Sequence, residues 1–275
     1  MKRKTSVSIL IFIILINLPF IFTSCSDDSN PSAPDEPVTT QLILLDSAYA
    51  EGARANVYLY TEDTLHVGYN PVYIVLHDSL TNQIITDAHV EFDIVNHGHN
   101  VPVENPASSN AVDGKFPGAF ILNASQTGDE IMHYHYHVMV HNHQAPGKPE
   151  GEAAFSDFIV KENPDKFKSI VMSDSTKLYL SYITPKNPAS GLNDFEFLIN
   201  RNEPELFPPD GTFTIAVTPE FLSDLHTTSG NTNPVHTTIG HYKGKISLDR
   251  SGSWRIKLNV SKNGISYDTS FELSY

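Results

Sequence analysis

The chain has 275 residues, of which 40% are apolar and 18% charged, a balance that supports packed cores and excludes a wholly disordered protein. Its 18 basic residues face 32 acidic ones, a formal charge of −14, or −17 once a leader carrying Lys2, Arg3 and Lys4 is removed. A surface of that sign repels nucleic acid and anionic headgroups and gathers cations, so no nucleic-acid partner is expected.

Residues 1–24 read as a secretory signal: a basic start, an apolar run, then small polar residues. The run ends just before Cys25, the only cysteine, which therefore has no internal disulfide partner. Phe22-Thr23-Ser24-Cys25 resembles the lipobox of bacterial lipoproteins. That resemblance implies that Cys25 is acylated, becomes the first mature residue and holds the protein to a lipid bilayer. The expected address is the bacterial cell envelope, as an outer-membrane lipoprotein that is either periplasmic or surface-exposed. Residues 25–40 contain the acidic, proline- and serine-rich stretch SDDSNPSAPDEP (26–37), which buries too little apolar surface to offset the entropy of ordering. A lipidated flexible tether is expected there.

Beyond the tether the pattern is short strands between turn residues. Strands are predicted at 56–60, 71–77, 88–95, 118–123, 131–140 and 153–160, then at 168–172, 177–181, 194–198, 212–217, 244–248, 254–260 and 267–273. About seven short strands per ~110–120 residues point to an all-β fold of two tandem immunoglobulin-like β-sandwich domains. The first is expected at 41–161 and the second at 167–275, joined through KENPDK (161–166).

The two halves resemble one another. Gly114-Lys115-Phe116-Pro117-Gly118 recurs as Gly240-His241-Tyr242-Lys243-Gly244, each after a long loop and each ahead of a turn glycine and a long alternating strand. Gly68-Tyr69-Asn70, Asp87-Ala88-His89-Val90, the run HGHNVPVENP (97–106) and the glycine-aromatic-glycine turn resemble the YtkA-like domain family. Asn231-Thr232-Asn233-Pro234-Val235-His236, Gly240-His241-Tyr242 and Ser251-Gly252-Ser253-Trp254 repeat the resemblance in the second half. It implies small extracytoplasmic β-sandwiches associated with metal handling, copper above all, and no particular reaction.

Five of the 13 histidines fall within 131–143 (IMHYHYHVMVHNH). Side chains alternate along a strand, so His133, His135, His137, Met139, His141 and His143 share one face. Trp254, Ile256, Leu258 and Val260 of the second copy share the parity of the tyrosine side, while Arg255, Lys257 and Asn259 are solvent-type residues. By that mapping the histidine face points outward. Imidazole suits Zn and Cu(II), and thioether favours Cu(I). Alternate strand residues lie about 6.6–7 Å apart, so neighbouring rings can converge on one ion while three in a row span roughly 13 Å. Further ligands would come from elsewhere, with His77, His97 and His99 as candidates. A second divalent site is conceivable from Asp224, His226, His236 and His241 in the corresponding loop region. His66 and His89 read as structural residues at strand edges.

No Gly-x-Ser-x-Gly elbow, His-Glu-x-x-His motif or phosphate-binding glycine loop is present, so the chain is not expected to be an enzyme. The leading expectation is copper or zinc capture, buffering or delivery on the histidine strand, with metal efflux or oxidase assembly systems as partners. The alternative is a non-catalytic interaction module in which the histidine face is a polar or packing surface. Few tyrosines are expected on the outer faces, which argues against a sugar-binding platform.

Overall fold

In the computed structural model the described residues are 41–96, 98–125, 134–156, 158–204 and 206–275. The signal segment, Cys25, the tether, His97 and His133 lie outside the described residues.

Alternating buried and half-exposed positions, the period-2 signature of a strand with one face on a core, run through the first half. The strands are β1 (Ile43–Ala50), β2 (Ala55–Thr61), β3 (Gly68–Asp78), the two-residue β4 (Ile84–Ile85), β5 (Ala88–Asn96), the short β6 (His99–Asn100) and β7 (Val103–Glu104), β8 (Phe116–Leu122), β9 (Tyr134–Asn142) and β10 (Glu150–Phe155). One sheet has the order β1-β2-β3-β8-β7, with β4 beside β3; the other is β10-β9-β5-β6. Between them lies a mainly aliphatic core that includes Val57, Leu59, Ile74, Leu76, Val90 and Val138.

The second half follows with β11 (Phe167–Val171), β12 (Lys177–Thr184), β13 (Gly191–Arg201), β14 (Thr214–Phe221), β15 (His226–Thr227), β16 (Thr232–Thr238), β17 (His241–Leu248), β18 (Ser253–Lys262) and β19 (Ile265–Ser274). Its sheets, β11-β12-β13-β17-β16 and β15-β14-β18-β19, repeat the strand order of the first half position for position. This core carries more aromatic rings among its aliphatic residues, with Phe195, Phe197, Tyr242, Trp254 and Phe271 all buried. The chain is all-β, with two immunoglobulin-like sandwiches.

Shared local devices deepen the correspondence. Asn70 and Asn193 each sit two residues after a glycine of positive φ (Gly68, +110°; Gly191, +98°). Each accepts a backbone N–H from four residues upstream and donates back to that residue's carbonyl. Asn105 Oδ1 accepts the Phe92 N–H at 2.7 Å, and Asn233 Oδ1 accepts the Val217 N–H at 3.0 Å, so in both copies one side chain ties one sheet to the other. The turns before β8 and β17 place two successive residues at positive φ: Asp113 (+49°) and Gly114 (+74°), then Ile239 (+43°) and Gly240 (+75°). That is the backbone of a type I′ hairpin, whose twist matches that of the strands it joins.

The expected strands are present, with shifted ends: 153–160 becomes Glu150–Phe155, and the strand expected to end at 140 runs to Asn142, its first three residues, 131–133, lying outside the described residues. The sequence reading omitted β1 and β16, and the two-residue strands β4, β6, β7 and β15. β1 is half-exposed and lacks clean alternation, while β16 is a sheet edge interrupted by Pro234. Lys161, expected in the linker, pairs with His66 and exchanges backbone hydrogen bonds with Leu65 and Val67. Residues Thr40–Tyr275 form one compact unit.

Candidate functional site

β9 carries the histidine row. Tyr134, Tyr136, Val138 and Val140 are buried at 0–1% exposure, and Tyr134 donates its hydroxyl to the Ala124 carbonyl at 2.7 Å. The opposite parity leaves His135 and Met139 exposed and His137, His141 and His143 half-buried on the outer face. The turn at Asn142, whose Oδ1 accepts the N–H groups of Gln144 and Ala145, fixes where the row ends.

Register decides what the row faces. On β5, His89 lies opposite His141, Glu91 opposite Met139, Asp93 opposite His137 and Val95 opposite His135. On β10, Glu150 lies opposite His141 and Glu152 opposite Met139. Imidazoles and carboxylates thus interleave across three strands. His137 Nδ1 is hydrogen-bonded to Glu152, His143 Nδ1 to Asp87 Oδ1 at 2.8 Å, and His89 Nε2 to Glu91 Oε1 at 2.8 Å. The rings of His141 and His143 meet edge to face with centres 4.8 Å apart.

Counting four residues on from the pinned Phe92 and Val217 reaches Asn96 and Phe221, whose cross-strand partners are Tyr134 and Trp254. His135 and His137 therefore correspond to Arg255 and Lys257, which pair with Glu220 on the outer face of the second sandwich. Both copies set a nitrogen-bearing side chain against a glutamate at this spot, His137 on Glu152 and Lys257 on Glu220; only the first uses an imidazole, which can also ligate a metal.

The other candidates are not brought to the row. His77 belongs to β3 in the opposite sheet, with its ring 5.2 Å from that of Tyr58, so the core separates it from β9. His99 pairs with Asn96, the inward parity, and not with the residues beside His135. Nor does the proposed second set assemble. His226 Nε2 contacts Asp249 Oδ2 at 2.8 Å, and Asp224 is engaged by the His226 backbone and by Arg250. His236 lies on the other sheet with its ring against Tyr242, and His241 is enclosed by glutamates. Among the described residues no three His, Cys, Asp or Glu side chains already converge as a metal cage.

No family model matches the chain, and no curated protein does. Solved structures similar to it include two multi-domain chains. One is described as the D0-D1 domain of Intimin, at 10% identity and a TM-score of 0.22, covering 84% of this chain and 99% of that one. The other is described as Titin Ig tandem domains A164-A165, at 10% identity and a TM-score of 0.18, covering 77% and 90%.

Two features escaped the sequence reading. The first is the joint between the sandwiches. His241 on β17 is held between Glu104 of β7 and Glu196 of β13, the latter at 2.7 Å, with Lys243 Nζ 3.1 Å from Glu196. Tyr69 donates to the far oxygen of Glu104 at 2.8 Å and sets its ring edge-on to His241. Burial alone would lower the His241 pKa, but the hydrogen bonds its ring donates to both carboxylates, and their charge, raise it to about 9. Burial raises the Glu196 carboxyl, yet its bonds to His241 and Lys243 outweigh that and hold it below its ordinary value. Nothing in the sequence links residues 137 positions apart; the contact exists only once the sandwiches dock.

The second is a tyrosine face, which corrects the expectation of few outward tyrosines. Tyr58 and Tyr60 on β2, Tyr73 on β3 and Tyr49 on β1 all point away from the core, and Tyr60 is directly opposite Tyr73. The alternation of Val57 and Leu59 with Tyr58 and Tyr60 was the available signal.

Proposed function

We propose that this chain is a non-catalytic, envelope-anchored module that captures a borderline transition-metal ion, copper or zinc, on the outer face of its first sandwich. The observation that carries this reading is the outward row His135, His137, Met139, His141 and His143, flanked on both sides by His89 and acidic residues. Neutral imidazole supplies the affinity, and the carboxylates orient the rings and raise the local cation concentration. The YtkA-like resemblance and the lipobox-like Cys25 support the same setting. Delivery to an efflux or oxidase assembly system would follow by ligand exchange on this open face.

The test is zinc and copper titration of the full, untagged chain against a variant with alanine at His135, His137, His141 and His143. Affinity unchanged by the quadruple replacement overturns the reading. Anchoring is checked separately: metabolic labelling with a radioactive fatty acid should mark the protein, and Cys25→Ala should abolish the label.

A second reading, a protein-docking module, is favoured by the tyrosine face. Tyrosines offer large, rigid contact area at low entropic cost and are enriched at interfaces. A photocrosslinking residue at Tyr60 should then give a discrete adduct in cells, with none from the same residue at Asn259. Absence of any adduct removes this reading.

A further inference from the structure

Resting on the metal-capture reading, we infer that the ion is held at one end of the row, by His141, His143 and His89, with Asp87 as the orienting carboxylate. Two imidazoles sharing one ion through bonds of about 2.0–2.1 Å place their ring centres roughly 4.5 Å apart at a square-planar angle and about 5.2 Å at a tetrahedral one. The rings of His141 and His143 lie 4.8 Å apart, between those limits.

His143 is already prepared. Its Nδ1 is bonded to Asp87 Oδ1 at 2.8 Å, which leaves Nε2 as the ligating nitrogen. A histidine ligand commonly gives its other ring N–H to a carboxylate in this way, which fixes its tautomer and raises its basicity. Asp87 is held in turn, because Gln144 Oε1 accepts the N–H groups of Thr86 and Asp87, at 2.5 and 3.1 Å.

The third ligand comes from the neighbouring strand. His89 is directly opposite His141, a pairing that puts Cβ atoms about 4.5–5.5 Å apart. Its Nε2 is engaged by Glu91, but both side chains are more than half exposed, so that contact is weak and rotation of the ring toward His141 costs little. The site takes a divalent ion of the Zn(II) or Cu(II) class on three nitrogens, with at least one position open to water or an exchanging ligand. His135 and His137 do not share it: they lie six and four residues, about 20 and 13 Å, along the strand from His141.

The experiment is calorimetric titration of Zn(II) into the full, untagged chain, with Cu(II) paramagnetic resonance to count the coordinating nitrogens. One equivalent is expected to bind. His141→Ala or His143→Ala should weaken it at least 100-fold, and Asp87→Asn 10- to 100-fold. A His135→Ala, His137→Ala double variant should bind as the parent does. Tight binding that depends on His135 and His137 overturns this placement while sparing the wider reading; absence of binding to the parent chain overturns both. Far-ultraviolet circular dichroism verifies that each variant is folded.

Discussion

His241 of the second sandwich is hydrogen-bonded to Glu104 of the first, so an imidazolium spans the joint between two bodies of the same strand order. A second tie, Lys186 to Glu62, crosses the same boundary, and Tyr73 donates to the other oxygen of Glu62 at 2.5 Å.

The first consequence is a pH dependence with a defined sign. The folded His241 binds its proton more tightly, at about 9, than the reference value of 6.5 for a free imidazole. Its contribution is complete below about 6.5, shrinks between 6.5 and 9, and is gone as pH rises through 9; on the order of 2 kcal/mol is involved. Thermal unfolding of the parent should fall across that window. His241→Gln should be less stable at pH 6 and should lose the slope. A variant that keeps the parent's slope would assign the effect to another group.

Gly118→Ala should destabilise the first sandwich by at least 1–3 kcal/mol. A Cβ there would overlap the Phe92 ring and lie 2.5 Å from the Glu104 carbonyl oxygen, so backbone must move. Because Glu104 grips His241, the loss should appear in denaturant unfolding of both sandwiches and not in one alone.

Ile239→Asn should stabilise the protein by about 1 kcal/mol, read as a rise in Tm. Ile239 is exposed and holds φ +43°, a conformation costly for a β-branched residue. The first copy carries Asp113 at the same turn position, a residue type that tolerates it. An unchanged or lower Tm would mean that the isoleucine side chain makes up for its own strain.

Asn233→Ala should cost about 1–2 kcal/mol by stranding the Val217 N–H, and Asn105→Ala a similar amount through Phe92. Hydrogen exchange at those two amides is the direct measurement, with faster exchange confined to the copy that was altered.

Much of this architecture could be read in advance because it rests on period-2 burial. The parity of Trp254 through Val260 gave the orientation of β9, and the recurring Gly-x-aromatic turns marked the duplication. What could not be read depends on register and docking. Whether His77 could reach β9 depends on which sheet β3 joins, and the pairing of His89 with His141 on a register that alternation alone leaves free. The Glu104–His241–Glu196 cluster needs the relative placement of two sandwiches, which no local pattern encodes. Local spacing grouped Asp224, His226, His236 and His241, and the long loop then distributed them between two sheets.

A duplicated topology brings a hazard during folding, since a strand from either copy could insert into the other's sheet and produce a tangled misassembly. The two cores fill equivalent slots with side chains of different size, which works against that exchange. Trp254 in the slot of Tyr134 would be overpacked, and Tyr242 in that of Phe116 would bring a hydroxyl that in its own core receives the Phe213 N–H and donates to the Asp210 carbonyl, so a swapped strand costs packing or a hydrogen bond.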